Sequence, residues 1–148
     1  MLNRTLMSLF ERDLNRVIKE LQEYHVESNI WRVEKNIANS AGNLVLHLIG
    51  NLNTYIGKEI GGKDYARNRE LEFSMKDVPR QELIKKLDQT IAVVTNSLEL
   101  LKEEDLEKDF PILVLSEVTS VSYFLVHLLS HLNYHLGQIN YHRRLIEL

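Results

Sequence analysis

The sequence contains no cysteine, only two prolines and a single tryptophan among its 148 residues. The absence of cysteine excludes disulfide bonds, a thiol nucleophile and thiolate metal ligands. Any transition-metal site must therefore be built from histidine and from oxygen or amide ligands. The scarcity of proline and glycine, together with long stretches of apolar periodicity near about 3.6 residues, favours an all-helical protein.

The sequence also lacks a strong charge of one sign and a long apolar run. Lysine and arginine number 18, aspartate and glutamate number 21, and a net charge of −3 gives no electrostatic reason to expect nucleic acid as a partner. No apolar stretch approaches the roughly 18 residues of a membrane span, and charges interrupt the N-terminus too early for a signal-peptide core. We therefore expect a cytoplasmic protein without membrane contact, forming one domain over residues 1–148.

The apolar periodicity predicts four main helices joined by long connecting loops. They run from about Asn3 to Tyr24, from Ser40 to about Ile60, from Pro79 to about Glu104, and from a cap at Ser116, Thr119 or Ser120 to the C-terminus. The charged segment 61–78 is predicted to cover one end of the bundle. Residues 110–115 are predicted either to pack as an extended segment or to form a short strand.

Histidines recur at every fourth position in the last predicted helix, at His127, His131 and His135. Each step of four residues rotates by only about 40° around the helix axis, so the three imidazoles follow one stripe, one turn apart. The stripe borders the apolar face that this helix must bury. An unpaired buried polar group costs about 1–3 kcal/mol, and a metal ion is one partner that would avoid this cost.

The second predicted helix has a similar polar sector, in which His47 lies with Asn43 and Asn51. A pair of histidines one turn apart can share an ion, and a third ligand must come from another helix. His47 is the best candidate for that ligand. Three histidines leave coordination positions open, which is typical of a reactive metal site rather than a closed structural one.

Each of these polar residues also has a structural interpretation. A histidine at an apolar border is more often a core or capping residue than a ligand. Asn43, Asn51 and Gln138 either hydrogen-bond the ligands from a second layer or bridge helices. His25, near the end of the first helix, is interpreted as structural. His142, beside two arginines, is expected near the surface.

Three segments resemble motifs of the DinB-like superfamily. SHLNYHLGQINYHRR is similar to its last-helix motif, in which two histidines four residues apart precede Gly-Gln; here these residues are His131, His135, Gly137 and Gln138. NSAGNLVLHLIGNL resembles its second-helix motif, which maps a third metal histidine onto His47. RNRELEF is similar to a motif of one uncharacterised branch of the superfamily.

The resemblance implies an antiparallel four-helix bundle that holds a divalent metal ion with His47, His131 and His135, commonly in a homodimer. Zinc or nickel is the expected ion, with iron or manganese as further options. Relatives include thiol-dependent transferases and isomerases that use low-molecular-weight thiols, and many others have no known activity. His127 has no place in the three-ligand pattern, and is either a proton-transfer residue or a bundle histidine.

The leading hypothesis is a metal-dependent enzyme, a transferase or hydrolase, whose site activates water or a low-molecular-weight thiol against a small-molecule substrate. His127 is then the nearest candidate for a catalytic proton-transfer residue. Because the chain has no cysteine, a thiol would arrive as a cosubstrate. A second hypothesis is a non-catalytic bundle that binds a metal ion or small molecule and acts as a dimeric interaction module. A third is that the histidine stripe is plain core.

Overall fold

Four long helices and two short ones make up the computed structural model, which describes all of residues 1–148. The helices are α1 (Leu2–Glu23), α2 (Ala41–Leu52), α3 (Arg69–Ser74), α4 (Arg80–Glu99), α5 (Glu103–Leu106) and α6 (Val121–Ile146). A 3-10 turn, Glu27–Trp31, follows α1, and α2 continues directly into a π-helical segment, Asn53–Lys58. There is no β-strand. The predicted all-α helical bundle is confirmed.

Contacts between neighbouring helices establish their relative directions. α1 packs antiparallel to α4, and α2 packs antiparallel to α6. In contrast, α1 and α6 pack parallel to each other, and so do α2 and α4. The antiparallel pairs are shown by the contacts of Asn3 with Leu101 and Tyr24 with Arg80 for α1 and α4, and of His47 with His131 and Tyr55 with Phe124 for α2 and α6. The parallel pairs are shown by the contacts of Asp13 with Asn133 and Glu20 with Arg143 for α1 and α6, and of Asn53 with Thr90 and Gly61 with Ser97 for α2 and α4. In chain order the four long helices therefore run up, down, down and up.

The parallel packing of α2 on α4 dictates the path of the chain between them. The 12 residues of α2 and the 6 of the π-helical segment place the two ends of this element roughly 27 Å apart, at about 1.5 Å per residue. Because α4 runs parallel to α2, it starts beside the first of these ends, so residues 59–79 must return along the whole length of α2. This crossover segment, which includes α3, therefore runs along the side of α2, and the prediction that it covers one end of the bundle was wrong.

Serine caps begin the two helices that carry the histidines. The Ser40 side chain accepts a hydrogen bond from the backbone N–H of Asn43 at 3.2 Å, which confirms the predicted start of α2. Ser120 accepts from the backbone N–H of Tyr123 at 3.1 Å. Among the three alternatives for the cap of the last helix, Ser120 is therefore the residue used.

The connection from α4 to α6 differs from prediction in where α4 ends, and of the two alternatives for residues 110–115 the strand is not formed. α4 ends at Glu99, because a separate turn begins where the backbone N–H of Lys102 donates to the Asp105 carboxylate at 2.9 Å. Residues 110–115 form no strand: Phe110 is buried, and the only β-type pairing nearby is an isolated bridge between Asp109 and Ser120. Both segments serve as the connection from α4 to α6.

Thirty buried apolar side chains form one core cluster, to which all four long helices contribute. Trp31, on the 3-10 turn, joins this cluster and lies against Gly42 at the start of α2. No helix of the chain combines the length and apolar character needed to cross a membrane. Three of the buried polar side chains, Asn43, His47 and Glu72, lie where α2 faces α6 and the crossover segment.

Candidate metal centre

Three imidazole rings meet between α2 and α6. The Nε2 atom of His131 lies 3.2 Å from Nε2 of His47 and 3.1 Å from Nε2 of His135. One nitrogen from each ring falls within 4.8 Å of the others, so the three side chains could hold one metal ion. His47 is buried, whereas His131 and His135 are half-buried, which leaves the cluster accessible from one side.

Hydrogen bonds at the far side of two rings determine which nitrogen carries the proton. Nδ1 of His47 donates to Oε1 of Glu72 at 3.1 Å, and Nδ1 of His135 donates to Oε1 of Gln138 at 2.7 Å. Nη2 of Arg67 also lies 3.4 Å from Nδ1 of His47, but it donates to the nearer Oε1 of Glu72 at 3.1 Å. A neutral imidazole has one N–H, so both Nε2 atoms present lone pairs. These lone pairs converge on Nε2 of His131, which could donate to only one of them.

A metal cation placed between the three Nε2 atoms would accept a lone pair from each of them. A tetrahedral ion with metal–nitrogen bonds of about 2.0–2.1 Å would separate its nitrogen ligands by about 3.3 Å, close to the two distances that join Nε2 of His131 to the other two rings. Nδ1 of His131 is buried without a hydrogen-bond partner. The orientation of the His131 ring is therefore not fixed by a hydrogen bond at Nδ1, which agrees with a ligand bound at Nε2. The donor set of three imidazoles suits zinc, nickel, iron and other first-row divalent ions.

The electrostatic surroundings keep the three rings neutral, which is the form that binds metals. Burial, reinforced by charge on the neighbouring histidines, lowers the pKa of His131 to about 4. Burial is also the main cause that lowers the pKa of His47 and of His135. At neutral pH the cluster therefore offers lone pairs rather than positive charges.

The crossover segment supplies two further charged groups to this site. The Glu72 carboxylate accepts from His47 and also from Arg67, through Nε at 2.8 Å and Nη2 at 3.1 Å. Phe73, next along α3, packs its ring against the His47 ring with centroids 5.0 Å apart. Both members of the ion pair are largely buried, with side-chain exposures of 13% for Arg67 and 7% for Glu72.

Residues 3–147 match a protein family described as "Protein of unknown function (DUF1572)". The chain belongs to the DUF1572 family. No curated protein matches the chain. The crystal structure of a conserved protein from Enterococcus faecalis is 19% identical in sequence, with a TM-score of 0.74 over 97% of this chain and 95% of that chain. At this identity the match shows a shared fold.

Among the predicted second-layer residues of the DUF1572 chain, Gln138 is the one that hydrogen-bonds a histidine of the cluster. Asn43 instead donates to the backbone carbonyls of Glu72 and Met75, and so anchors α3 to α2. Asn51 is buried one turn beyond His47, with its Oδ1 atom unpartnered. The three residues therefore have three different structural positions.

His127 lies one helical turn before His131 and outside the group of three. Its ring packs against Phe124, with centroids 5.6 Å apart and an interplanar angle of 32°. The side chain is half-buried. The structure thus places His127 close enough to influence His131 electrostatically, but not among the converging nitrogens.

His142 was expected near the surface, and that prediction was wrong. The residue is only 4% exposed, because the end of α6 packs against the end of α1 and the segment that follows it. Nε2 of His142 donates to the Arg32 carbonyl at 2.8 Å, and Nδ1 accepts from the Tyr24 hydroxyl at 2.6 Å. Both nitrogens are used in bridging three segments, so His142 is a structural residue.

Sequence reasoning missed Glu72 and Arg67 as members of the site. Both lie within the RNRELEF segment, residues 67–73, which the sequence identifies only by its similarity to a motif of one branch of a superfamily. A charged segment rich in arginine and glutamate normally predicts a solvated loop. The available signal was the combination of that motif with a connection long enough to pass alongside α2.

Proposed function

We propose that the chain is a metal-dependent enzyme of the DinB-like superfamily, in which His47, His131 and His135 bind one divalent ion. The observation that carries this proposal is the convergence of three Nε2 atoms, two with lone pairs directed at the third and separations of 3.1–3.2 Å. Three imidazole ligands favour zinc or nickel, with iron or manganese as alternatives.

The proposed reaction is transfer to, or hydrolysis of, a small-molecule substrate by water or a low-molecular-weight thiol. A bound divalent ion would lower the pKa of such a nucleophile toward neutrality. The half-buried side of His131 and His135 is the side from which substrate would approach. His127, one turn away along the same stripe, is the proposed proton-transfer residue.

The second layer is proposed to keep the ligands in their binding tautomers. Gln138 accepts the Nδ1 proton of His135. Nδ1 of His131 and Oδ1 of Asn51 are, respectively, a buried potential donor and a buried acceptor without partners. Asn43 contributes indirectly, because it anchors the segment that carries Glu72.

A homodimer is the proposed assembly. The outer surface of α6 exposes a row of apolar side chains, the exposed α6 face, formed by Tyr123, Val126, Tyr134, Tyr141 and Leu145. These residues lie three or four positions apart, or at multiples of that spacing, so they share one side of the helix. An apolar face along a whole helix is a feature of protein–protein interfaces.

A non-catalytic bundle that binds a metal ion or small molecule is the alternative. A cavity of about 400 Å³ lies next to the cluster, with Leu44, Gln138, Tyr141 and His142 in its lining. None of the three clustered histidines lines it. A ligand in this cavity would contact Gln138 without reaching the converging nitrogens, which is the arrangement expected of a binding module.

The test is the metal content of untagged protein purified without chelators, measured by elemental mass spectrometry for wild type and for His131→Ala. We expect near one equivalent of zinc, nickel, iron or manganese in wild type, and its loss in the variant with helical content retained. Thiol transfer and hydrolysis would then be screened with the metal-loaded protein. Wild-type protein that carries no metal and takes up neither added Zn²⁺ nor Ni²⁺ would remove the enzyme proposal.

A further inference from the structure

We propose that Glu72, clamped by Arg67, is a positioning residue that selects Nε2 of His47 as the metal-binding nitrogen. This inference rests on the proposed metal centre. The Glu72 carboxylate accepts the Nδ1 proton of His47 at 3.1 Å, on the side of the ring opposite the other two histidines. With the proton fixed at Nδ1, the ring must present its lone pair to the centre.

The Arg67 guanidinium holds that carboxylate in one orientation. Its Nε atom donates to Oε2 and its Nη2 atom to Oε1 of Glu72, so two parallel hydrogen bonds fix the plane of the carboxylate. A buried carboxylate also needs a compensating positive charge nearby, and Arg67 is that charge. The ion pair therefore holds the Glu72 side chain in one rotamer, in which Oε1 faces Nδ1 of His47.

The backbone around Glu72 is anchored as firmly as its side chain. Nδ2 of Asn43 donates to the carbonyl oxygens of Glu72 at 3.0 Å and of Met75 at 2.8 Å. Asn43 lies on α2 one turn before His47, so ligand and positioning residue are tied to the same helix. This explains why a segment with no long helix of its own can orient a side chain in the core.

Gly50 provides the space that the carboxylate occupies. A Cβ atom at this position would lie 1.8 Å from Oε2 of Glu72 and 3.3 Å from Nε of Arg67. Even alanine would therefore displace Glu72. A glycine in the middle of a helix costs helical stability relative to alanine, so its presence here fits a requirement for close approach.

The competing interpretation is that the ion pair only fastens the crossover segment to α2. The two roles differ in what they affect. A purely structural ion pair influences stability, whereas a positioning residue also influences metal affinity and the ligand field of a bound ion when the protein is fully folded. Measurements on the folded, metal-loaded protein therefore separate them.

The experiment measures Zn²⁺ affinity by competition with a chromophoric chelator, and the visible absorption spectrum of the Co²⁺-loaded protein. We compare wild type, Glu72→Ala, Glu72→Gln and the matched control Glu70→Ala, whose side chain is exposed on the same helix. Glu72→Ala is expected to weaken Zn²⁺ binding by about 10–100-fold and to alter the Co²⁺ bands. Glu72→Gln should restore part of the affinity, since its amide oxygen still accepts from Nδ1, and Glu70→Ala should match wild type.

Gly50→Ala is the second, independent variant. Alanine favours the helix, so circular dichroism should show α2 retained, while displacement of Glu72 should lower Zn²⁺ affinity as in Glu72→Ala. Wild-type Zn²⁺ affinity and an unchanged Co²⁺ spectrum in folded Glu72→Ala or Gly50→Ala would overturn the positioning role while leaving the metal centre standing. Wild-type protein that binds neither ion would overturn the metal centre itself, and the positioning role with it.

Discussion

Nδ1 of His135 donates a hydrogen bond to the side-chain oxygen of Gln138 at 2.7 Å, within a single turn of α6. Because the two residues are three positions apart on one helix, this contact depends on no other element of the fold. It fixes the proton on the outer nitrogen of His135 and leaves the inner one free to bind a metal ion. An exposed residue thus controls the tautomer of a half-buried one.

Replacement of Gln138 should therefore weaken metal binding without unfolding the protein. In Gln138→Leu the outer N–H of His135 loses its acceptor, and Zn²⁺ affinity is expected to fall by about 10–100-fold. Gln138→Glu keeps an acceptor at the same distance and should bind Zn²⁺ at least as tightly as wild type. Competition titrations check both variants, and equal affinities for Gln138→Leu and wild type would contradict the second-layer role.

The metal-free protein should lose stability as the pH falls from about 6.5 to about 4. The pKa of His131 is lowered to about 4, whereas an unfolded histidine titrates near about 6.5, so the unfolded chain binds more protons in this window. The stabilising contribution of the neutral His131 ring is present in full above the unfolded pKa and is lost progressively as the pH falls toward the folded pKa; solvent screening at this half-buried position limits its size.

Urea unfolding in the presence of a chelator, repeated across this pH range, measures that loss. His47, His135 and His142 have lowered pKa values from burial and should act in the same direction. The variant His131→Asn should show a shallower pH dependence than wild type. Identical slopes for the two proteins would indicate that His131 is not held neutral by the fold.

The buried bond between Tyr24 and His142 should stabilise the fold without affecting the metal centre. Tyr24→Phe removes the donor to Nδ1 of His142 and leaves a buried acceptor unpaired, at an expected cost of about 1–3 kcal/mol in the free energy of unfolding. Tyr141→Phe, on an exposed side chain, should cost little. Chemical denaturation measures the stability, and metal content should be the same in both variants.

Charge on the exposed α6 face should disrupt the proposed homodimer. Val126 and Leu145 lie near opposite ends of this face and are 47% and 60% exposed. Arginine at both positions would place charges in an apolar interface and is expected to convert dimer to monomer in sedimentation experiments. Val33→Arg, an exposed apolar position outside α6, serves as the control. A wild-type protein that is already monomeric would remove the dimer proposal.

Much of the site could be predicted because it depends on local periodicity. His131 and His135 are one turn apart on any helix, so the proximity of their rings follows from their spacing alone. His47 required a further step, since its polar sector on the second helix made it the best candidate for a third ligand and the resemblance of its segment to a known motif pointed to the same residue. The serine caps and the core faces of α1 and α6 follow from equally local rules.

The rest depended on which helices pack together and in which direction. Periodicity indicates that a face is buried, but not against what it is buried. Parallel packing of α2 on α4 sends the crossover segment back past His47, and this brings Glu72 and Arg67 to the site although they read as a solvated loop. The burial of His142 likewise results from the parallel packing of α6 on α1. By itself, the sequence determined the four long helices and the histidine stripe. The tertiary structure decided which charged and polar side chains surround the histidines, because contacts between segments distant in sequence depend on which helices pack together and in which direction.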